Sequence, residues 1–322
     1  MKEVSVVIPN YNGIGYIRPC LDSLMTQTVS DFEILVVDNG SGDGSRETVE
    51  REYPGVRVIA LEDNTGFCHA VNVGIQATDT PYIILLNNDT TVLKDFVEKM
   101  LDGIRKRPRA FSCGAKMLQM HSPEKMDDAG DYYSALGWAF ARGKGKEQKR
   151  YSSACQIFTA CAGAAIYRRK LLEETGLFDE EHFAYLEDMD LGYRAKILGY
   201  ENWFLPEAVV YHAGSGTSGS RYNLFKVRYS SRNNIYMIYK NMPWLQILIN
   251  LPFLTAGFLI KLIFFAAKGF GREYAAGIKN GVSLAFKGSR NGKKMRFSWK
   301  HLKNYGKIQL QLWANIVRRI TG

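Results

Sequence analysis

Short apolar runs alternate along the first half of the chain with stretches whose apolar residues recur every three or four positions. Val4–Ile8, Glu33–Val37, Val56–Leu61 and Tyr82–Leu86 have the length and composition of strands. Between and after them, the regions near Ile17–Met25, Arg46–Tyr53, Cys68–Gln76 and Lys94–Arg107 have helical spacing. A further strand is expected around Phe111–Ala115. Strand and helix in strict alternation predict an α/β fold with a parallel sheet. Residues Met117–Ala154 lose this periodicity and carry Gly137, Gly143, Gly145 and a basic run from Lys144 to Arg150, so a mobile or variable segment is expected there. Order resumes with Cys155–Tyr167, a helix near Lys170–Glu174, a helix from Glu187 to Leu198 closed by Gly199, and strand-like Trp203–Leu205 and Val209–Tyr211. The Gly/Ser-rich stretch Gly214–Ser220 is the expected boundary between a catalytic domain, 1–214, and a helical basic region, 215–322.

Charge sharpens that division. Residues 1–214 hold 23 Lys and Arg against 31 Asp and Glu; residues 215–322 hold 19 against Glu273 alone. A basic tail suits either nucleic acid or an anionic membrane surface. The neighbouring Trp244–Ala267 stretch, mostly Leu, Ile, Phe and Ala, points to a membrane and away from nucleic acid. It is long enough to span a bilayer, yet contains Gln246, Asn250, Pro252 and Lys261 and has basic residues on both sides, so an in-plane or re-entrant helix is expected. Five cysteines form no CxxC pair and no metal spacing, and the first residues form no apolar leader. Together these features predict free thiols and a protein at the cytoplasmic face of the membrane. No pattern specifies an oligomeric state.

Candidate chemistry falls at the ends of the predicted strands. Asn87-Asn88-Asp89 follows a buried strand, where ligands of open α/β sheets bind, and Asp89 is placed for a metal-bound phosphate. Read alone, it is equally an Asx-rich turn. Glu187-Asp188-Met189-Asp190 at a helix start can supply a base, or can simply answer the helix dipole with an Asp190–Arg194 pair on the surface. In Val36–Ser45, Asp38 and Asn39 open either a capped turn or a site in which Asp38 accepts a nucleobase N–H. Asn64, Gly66 and Asn72 frame a turn into a helix whose first backbone N–H groups can face a nucleotide, or can form a plain cap. His212, after an apolar strand, suits a metal ligand or phosphate contact, although a single His is more often structural.

Taken in order, Ile8-Pro9-Asn10-Tyr11-Asn12, VVDNGSGDGS, NTGFCHAVNVGI, LLNND, FAYLEDMDLGYR and VVYH resemble the family-two inverting glycosyltransferases of the GT-A fold. The likeness runs from about Val4 to His212 and is strongest to rhamnosyltransferase-like members that build bacterial surface polysaccharides. It implies a nucleoside-diphosphate-sugar donor, dTDP- or UDP-linked and in one reading dTDP-rhamnose. The donor would be bound by Pro9, Asn10, Asn12, Asp38, Asn39, Asn64, Gly66, Asn72, Asn87, Asn88 and Glu187, with its diphosphate on Mn2+ or Mg2+ at Asp89 and His212. Asp188 matches the family's catalytic base, and the acceptor it implies is a polyprenyl-diphosphate-linked glycan. The family's Asp-x-Asp stands here as Asn87-Asn88-Asp89, with one carboxylate, and the Gln-x-x-Arg-Trp motif of processive synthases is absent, so one sugar per encounter is expected. Two rivals remain at this stage: a sugar nucleotidyltransferase, whose cation-bearing phosphate loop is missing after the first strand, and an inactive nucleotide-sugar-binding scaffold.

Overall fold

A computed structural model describes residues 2–214, 222–290 and 294–321. The expected boundary stretch lies largely in 215–221, outside the described residues. Four parallel strands form the heart of the sheet: β1 (Val4–Asn10), β2 (Phe32–Asn39), β3 (Arg57–Leu61) and β4 (Tyr82–Leu86), with β1 paired to both β2 and β4. Helices α1 (Ile17–Met25), α2 (Ser45–Glu52) and α3 (Phe67–Gln76) connect them. The strands are apolar at nearly every position because both faces are covered. Val4, Val6, Ile8, Ile34, Val36, Ile84 and Leu86 point into one core, while Val7, Leu35, Val37, Ile83 and Leu85 point into the other.

Beyond β4, the chain adds β5 (Thr90–Val92), α4 (Phe96–Arg105), β6 (Ala110–Gln119) and β7 (Ser122–Asp128). A separate two-stranded hairpin follows, β8 (Asp131–Tyr133) with β9 (Ala139–Ala141). Then come β10 (Cys155–Ile157), β11 (Ala164–Arg168), α5 (Arg169–Thr175), α6 (Glu187–Leu198) and β12 (Glu201–His212). The sheet order is β10-β12-β6-β11-β4-β1-β2-β3; β11 runs antiparallel between β4 and β6, and β12 runs parallel to β6.

The segment expected to be mobile or variable instead holds the end of β6 and the strands β7, β8 and β9. β7 pairs with β6, and Met126, Ala129, Tyr133 and Ala135 are buried. Its strands are short and the β6–β7 register shifts twice, so its residues show no repeating pattern. The two strand-like pieces near residues 203 and 211 are likewise one strand, β12, whose register against β6 shifts between Leu205 and Val209.

Four helices follow: α7 (Leu224–Asn241), α8 (Trp244–Ala267), α9 (Gly271–Arg290) and α10 (Leu302–Thr321). They enclose a third core with α6 and the hairpin, containing Tyr133, Phe158, Met189, Tyr193, Met237, Leu254 and Leu312. α8 inverts the usual amphipathic order. Its buried residues are Gln246, Asn250, Leu254 and Gly257, one per turn, whereas Leu245, Leu248, Ile249, Leu259 and Ile263 are exposed. The polar side is hydrogen-bonded inward: Tyr193 Oη donates to Gln246 Oε1 (2.9 Å), and Asn250 and Gln309 exchange amide bonds of 2.8 and 2.7 Å. At Gly257, α8 lies so close to the Leu136 backbone that a Cβ would collide with its carbonyl oxygen.

Candidate active site

Register brings the chemistry together. β1 is aligned so that Asn10 sits beside Asp38 at the ends of neighbouring strands, and β4 ends at Leu86, just before Asn87. The carboxyl edge of the sheet therefore opens on a cleft of about 430 Å³. Of the sequence-predicted residues, Pro9, Asn10, Asn39, Asn64, Gly66, Asn87, Asn88, Asp89, Glu187, Asp188 and His212 line it. The two acidic clusters thus share one cleft.

Asp38, Asn12 and Asn72 do not line it. Asp38 is buried; one carboxylate oxygen accepts from Asn10 Nδ2 (2.9 Å) and the other from the Ser41 backbone N–H (3.0 Å). Asn10 Oδ1 accepts in turn from Asn88 Nδ2 (2.7 Å), so Asp38 reaches the cleft through a chain of amides that ties three strand ends together. Asn12 Oδ1 accepts from the Gly42 backbone N–H (2.9 Å) and holds the turn after β2. The Asn72 side chain is consumed in structure: it donates to the Phe178 carbonyl and to Glu180 and accepts from Phe178 N–H, pinning α3 to the loop before α6. Asn39 and Asn64 line the cleft while shaping it. Asn39 Oδ1 accepts from Thr65 N–H (3.0 Å), and Asn64 Oδ1 accepts from Gly66 N–H (3.0 Å). Gly66 has φ +87°, and a Cβ there would meet the Phe183 ring at 2.5 Å.

On the opposite wall, α6 presents Glu187 and Asp188 from its first turn. The approach to it is strained: Phe183, Tyr185 and Leu186 have φ of 63°, 73° and 65°, a region that non-glycine residues avoid at a cost of about 1–3 kcal/mol each. Asn233 of α7 holds this loop, its Nδ2 lying 2.9, 2.9 and 2.8 Å from the carbonyls of His182, Ala184 and Tyr185. The Asp188 carboxylate accepts from the backbone of Met189 and Ala162, yet burial pushes its pKa up to about 6. Burial, then the neighbouring Asp188, raises Glu187 to about 8, and its Oε2 has no hydrogen-bond partner among the described residues. A neutral Glu187 is available to a substrate hydroxyl.

Behind Glu187 and Asp188, Asp190 is not on the surface as expected. It is fully buried, with Arg194 at 2.9 Å, Lys240 Nζ at 2.9 Å and Asn241 Nδ2 at 2.7 Å. Lys240 also meets Asp179 at 2.7 Å. The i,i+4 spacing of Asp190 and Arg194 is as read from the sequence; α7, packed over the pair, removes it from solvent.

Two sets of side chains invite a cation. His212 Nε2 lies 3.2 Å from Asp89 Oδ1, and His212 Nδ1 lies 2.8 Å from Asp127 Oδ2, whose other oxygen accepts from Lys144 Nζ (2.9 Å). Burial opposes charge on this imidazole, but hydrogen bonds to Asp127 and Asp89 raise its pKa to about 9. A carboxylate orienting the far nitrogen of a histidine is the usual support of a metal-ligating ring, so Asp89 and His212 fit a divalent ion. The second set, Asp131, Cys161 and Asp188, has ligand atoms within 4.8 Å of one another. It fits Mn2+ or Mg2+ poorly, because hard cations prefer oxygen and burial, followed by the nearby aspartates, holds the Cys161 thiol protonated. Burial and mutual repulsion instead raise the carboxyl groups of Asp128 and Asp131.

Asp127, Lys144 and Cys161 were given no role in the sequence reading. The sequence signal for Asp127 is the acidic run Asp127, Asp128 and Asp131, which lies in a stretch without periodicity. Asn233, 45 residues beyond Asp188, has no local signature at all.

The profile of Glycosyl transferase family 2 matches residues 5–176. The chain belongs to this family. It is 26% identical, over 66% of its length and 77% of the relative's, to the N-acetylglucosaminyl-diphospho-decaprenol L-rhamnosyltransferase of Mycobacterium tuberculosis. It is 31% identical to the putative teichuronic acid biosynthesis glycosyltransferase TuaG of Bacillus subtilis, over 39% of this chain and 56% of that one. Among solved structures, GalNAc-T7 with UDP, GalNAc and Mn2+ superposes with a TM-score of 0.59 at 17% identity, covering 74% of this chain but about half (48%) of that one. The mannosyltransferase PcManGT from Pyrobaculum calidifontis, in complex with GDP-Man and Mn2+, gives 0.53 at 15% identity over 99% of this chain and 87% of that one. At such identities these structures establish the glycosyltransferase fold, and the family establishes a transferase.

Proposed function

We propose that this family 2 glycosyltransferase moves one sugar, with inversion, from a nucleoside-diphosphate-sugar to a lipid-linked glycan acceptor in surface-polysaccharide synthesis. The mycobacterial relative's named activity supports a rhamnosyl donor such as dTDP-rhamnose and a polyprenyl-diphosphate acceptor. The observation that carries the reading is a single cleft lined by Asp89 and His212 together with Glu187 and Asp188. Asp188 accepts the proton of the acceptor hydroxyl as that oxygen attacks the anomeric carbon opposite the departing diphosphate. Glu187, held neutral, donates to a sugar hydroxyl and orients it. Asn39, Asn64 and Gly66 form the nucleotide side of the cleft, with Asp38 acting through Asn10. Mn2+ or Mg2+ bound by Asp89 and His212 would supply charge neutralisation for the leaving diphosphate.

Residues 1–214 form the catalytic part in this reading, and 215–322 the membrane-associating part, at the cytoplasmic face. α8 is apolar enough to span a bilayer, with a mean hydropathy of 2.1, but its polar side is docked along the protein for several turns, which supports an in-plane helix.

The test is Asp188→Asn, assayed with a panel of nucleotide sugars, Mn2+ or Mg2+ and a lipid-linked acceptor, scoring product by mass. Transfer is expected to vanish while nucleotide binding persists. Near-normal turnover would remove Asp188 as base, and a wild type that neither transfers nor hydrolyses any donor would leave the scaffold reading standing.

A further inference from the structure

The cleft at Asp188 adjoins other space. Tyr185, Leu186 and Lys226 line both the cleft and a second cavity of about 250 Å³. Ala139, Tyr222, Lys261 and Phe265 line both that cavity and a third of about 900 Å³, between the β8–β9 hairpin, the end of α8 and the last turn of α10.

The third cavity is chemically lopsided. Arg142, Lys144, Lys146, Lys261, Arg318 and Arg319 line it, and no carboxylate does among the described residues. Lys144 is answered by Asp127. Most of the others lie against aromatic rings: Arg142 over Tyr151 at 4.7 Å, Arg318 over Tyr132 at 5.0 Å, Arg319 over Phe140 at 5.5 Å and Lys261 over Trp138 at 5.9 Å. Rings hold cations in place without neutralising them. Crowded like charges in a partly enclosed space favour an anion carrying more than one charge. The remaining wall is Ile260, Phe264 and Phe265, which lead onto the exposed apolar side of α8. The fitting ligand therefore has a polyanionic head, a long apolar tail, and a substituent that reaches toward Asp188.

We propose that this cavity binds the diphosphate of the lipid-linked acceptor, its hydrocarbon chain leaving along α8 and its sugar passing through the middle cavity to the base. The assignment rests on the acceptor class proposed above. It favours an acceptor diphosphate over a bulk phospholipid headgroup, because a structural lipid gains nothing from a route to the catalytic carboxylate.

The test uses the full chain in nonionic-detergent micelles, titrated with farnesyl diphosphate, farnesol or inorganic diphosphate, with phosphatidylglycerol as competitor. Farnesyl diphosphate is expected to bind at least tenfold more tightly than either fragment and to resist displacement by equimolar phosphatidylglycerol. Lys261→Gln and the double variant Arg318→Gln/Arg319→Gln should each weaken it at least tenfold and leave nucleoside diphosphate binding unchanged, which also reports folding. Wild-type affinity in both variants, no binding by the wild type, or equal displacement by phosphatidylglycerol would overturn the proposal. Failure of the wild type to bind nucleoside diphosphate would count against the donor reading alone, since the lipid titration is read separately.

Discussion

Asp188 illustrates how one carboxylate is prepared for proton transfer. The helix terminus and two backbone N–H groups favour its charged form, and burial opposes them, leaving its pKa at about 6. A base must be deprotonated and Glu187 must keep its proton, so kcat/KM for transfer should fall tenfold per unit well below pH 6, be highest between about 6 and 8, and fall again above 8. A profile that stayed flat to pH 5 would count against Asp188 as the titrating group. Asp127 is the second residue with a consequence. It orients His212 and, through its other oxygen, pairs with Lys144, away from the nucleotide side of the cleft, so Asp127→Asn should weaken Mn2+ binding by about 10–100-fold, with nucleotide binding in the absence of metal unchanged. Calorimetric titration of Mn2+ into the purified variant reads this directly. Asp89 and His212 were both legible as candidate ligands, since each ends an apolar strand; Asp127 was not, because it meets His212 across 85 residues of chain.

At the scale of elements, α6 and α7 act as a pair. α7 secures the strained 183–186 loop through Asn233 and neutralises Asp179 and Asp190 through Lys240, all in the protein interior. Burial alone would raise both carboxyl groups, but Lys240, joined by Arg194 at Asp190, holds them below the ordinary range. Groups whose folded pKa is lowered contribute stability that is complete above the unfolded value, near 3.9, and lost as pH falls through the folded one. Acid should therefore remove the stability contributed by this network as pH falls below about 4. Lys240→Met strands two buried carboxylates and should cost about 3–5 kcal/mol in denaturant unfolding at pH 7. A loss under 1 kcal/mol would show the network to be dispensable. The α6 start and its Gly199 stop were readable from the acidic first turn and the terminal glycine, whereas the burial of its Asp190–Arg194 pair required knowing what lay on top.

The whole molecule is a transferase built on a mixed sheet with a parallel centre, carrying a basic helical region whose apolar surfaces face outward. On α10, the exposed Leu310, Trp313, Val317 and Ile320 recur at helical spacing on one side, and α8 exposes Leu259 and Ile263. The region holds 19 Lys and Arg, and even a few of those outside the Lys240 network, each worth about 1 kcal/mol near an anionic surface, add an electrostatic term to the apolar one in favour of a membrane. The double variant Leu259→Glu/Ile263→Glu should shift the protein from the membrane to the soluble fraction without altering nucleotide binding. If the wild type is already soluble at low salt without detergent, the membrane reading fails.

The first four strands with their connecting helices and the placement of Asn10, Asn39, Asp89 and His212 at strand ends were determined by the sequence alone, because each is carried by neighbouring residues through a two- or four-residue period, and the charge asymmetry is a plain count along the chain. Tertiary structure alone decided that Asp127 supports His212, that Asp38 is sealed behind Asn10, that β7 joins the sheet, and that α8 turns its amides inward. The contacts of Asp127, Asp38 and α8 each depend on a partner 28 to 85 residues away, and a hydrogen bond across that distance leaves no periodic trace in either segment; β7 pairs with its neighbour β6, but two register shifts erase its alternation.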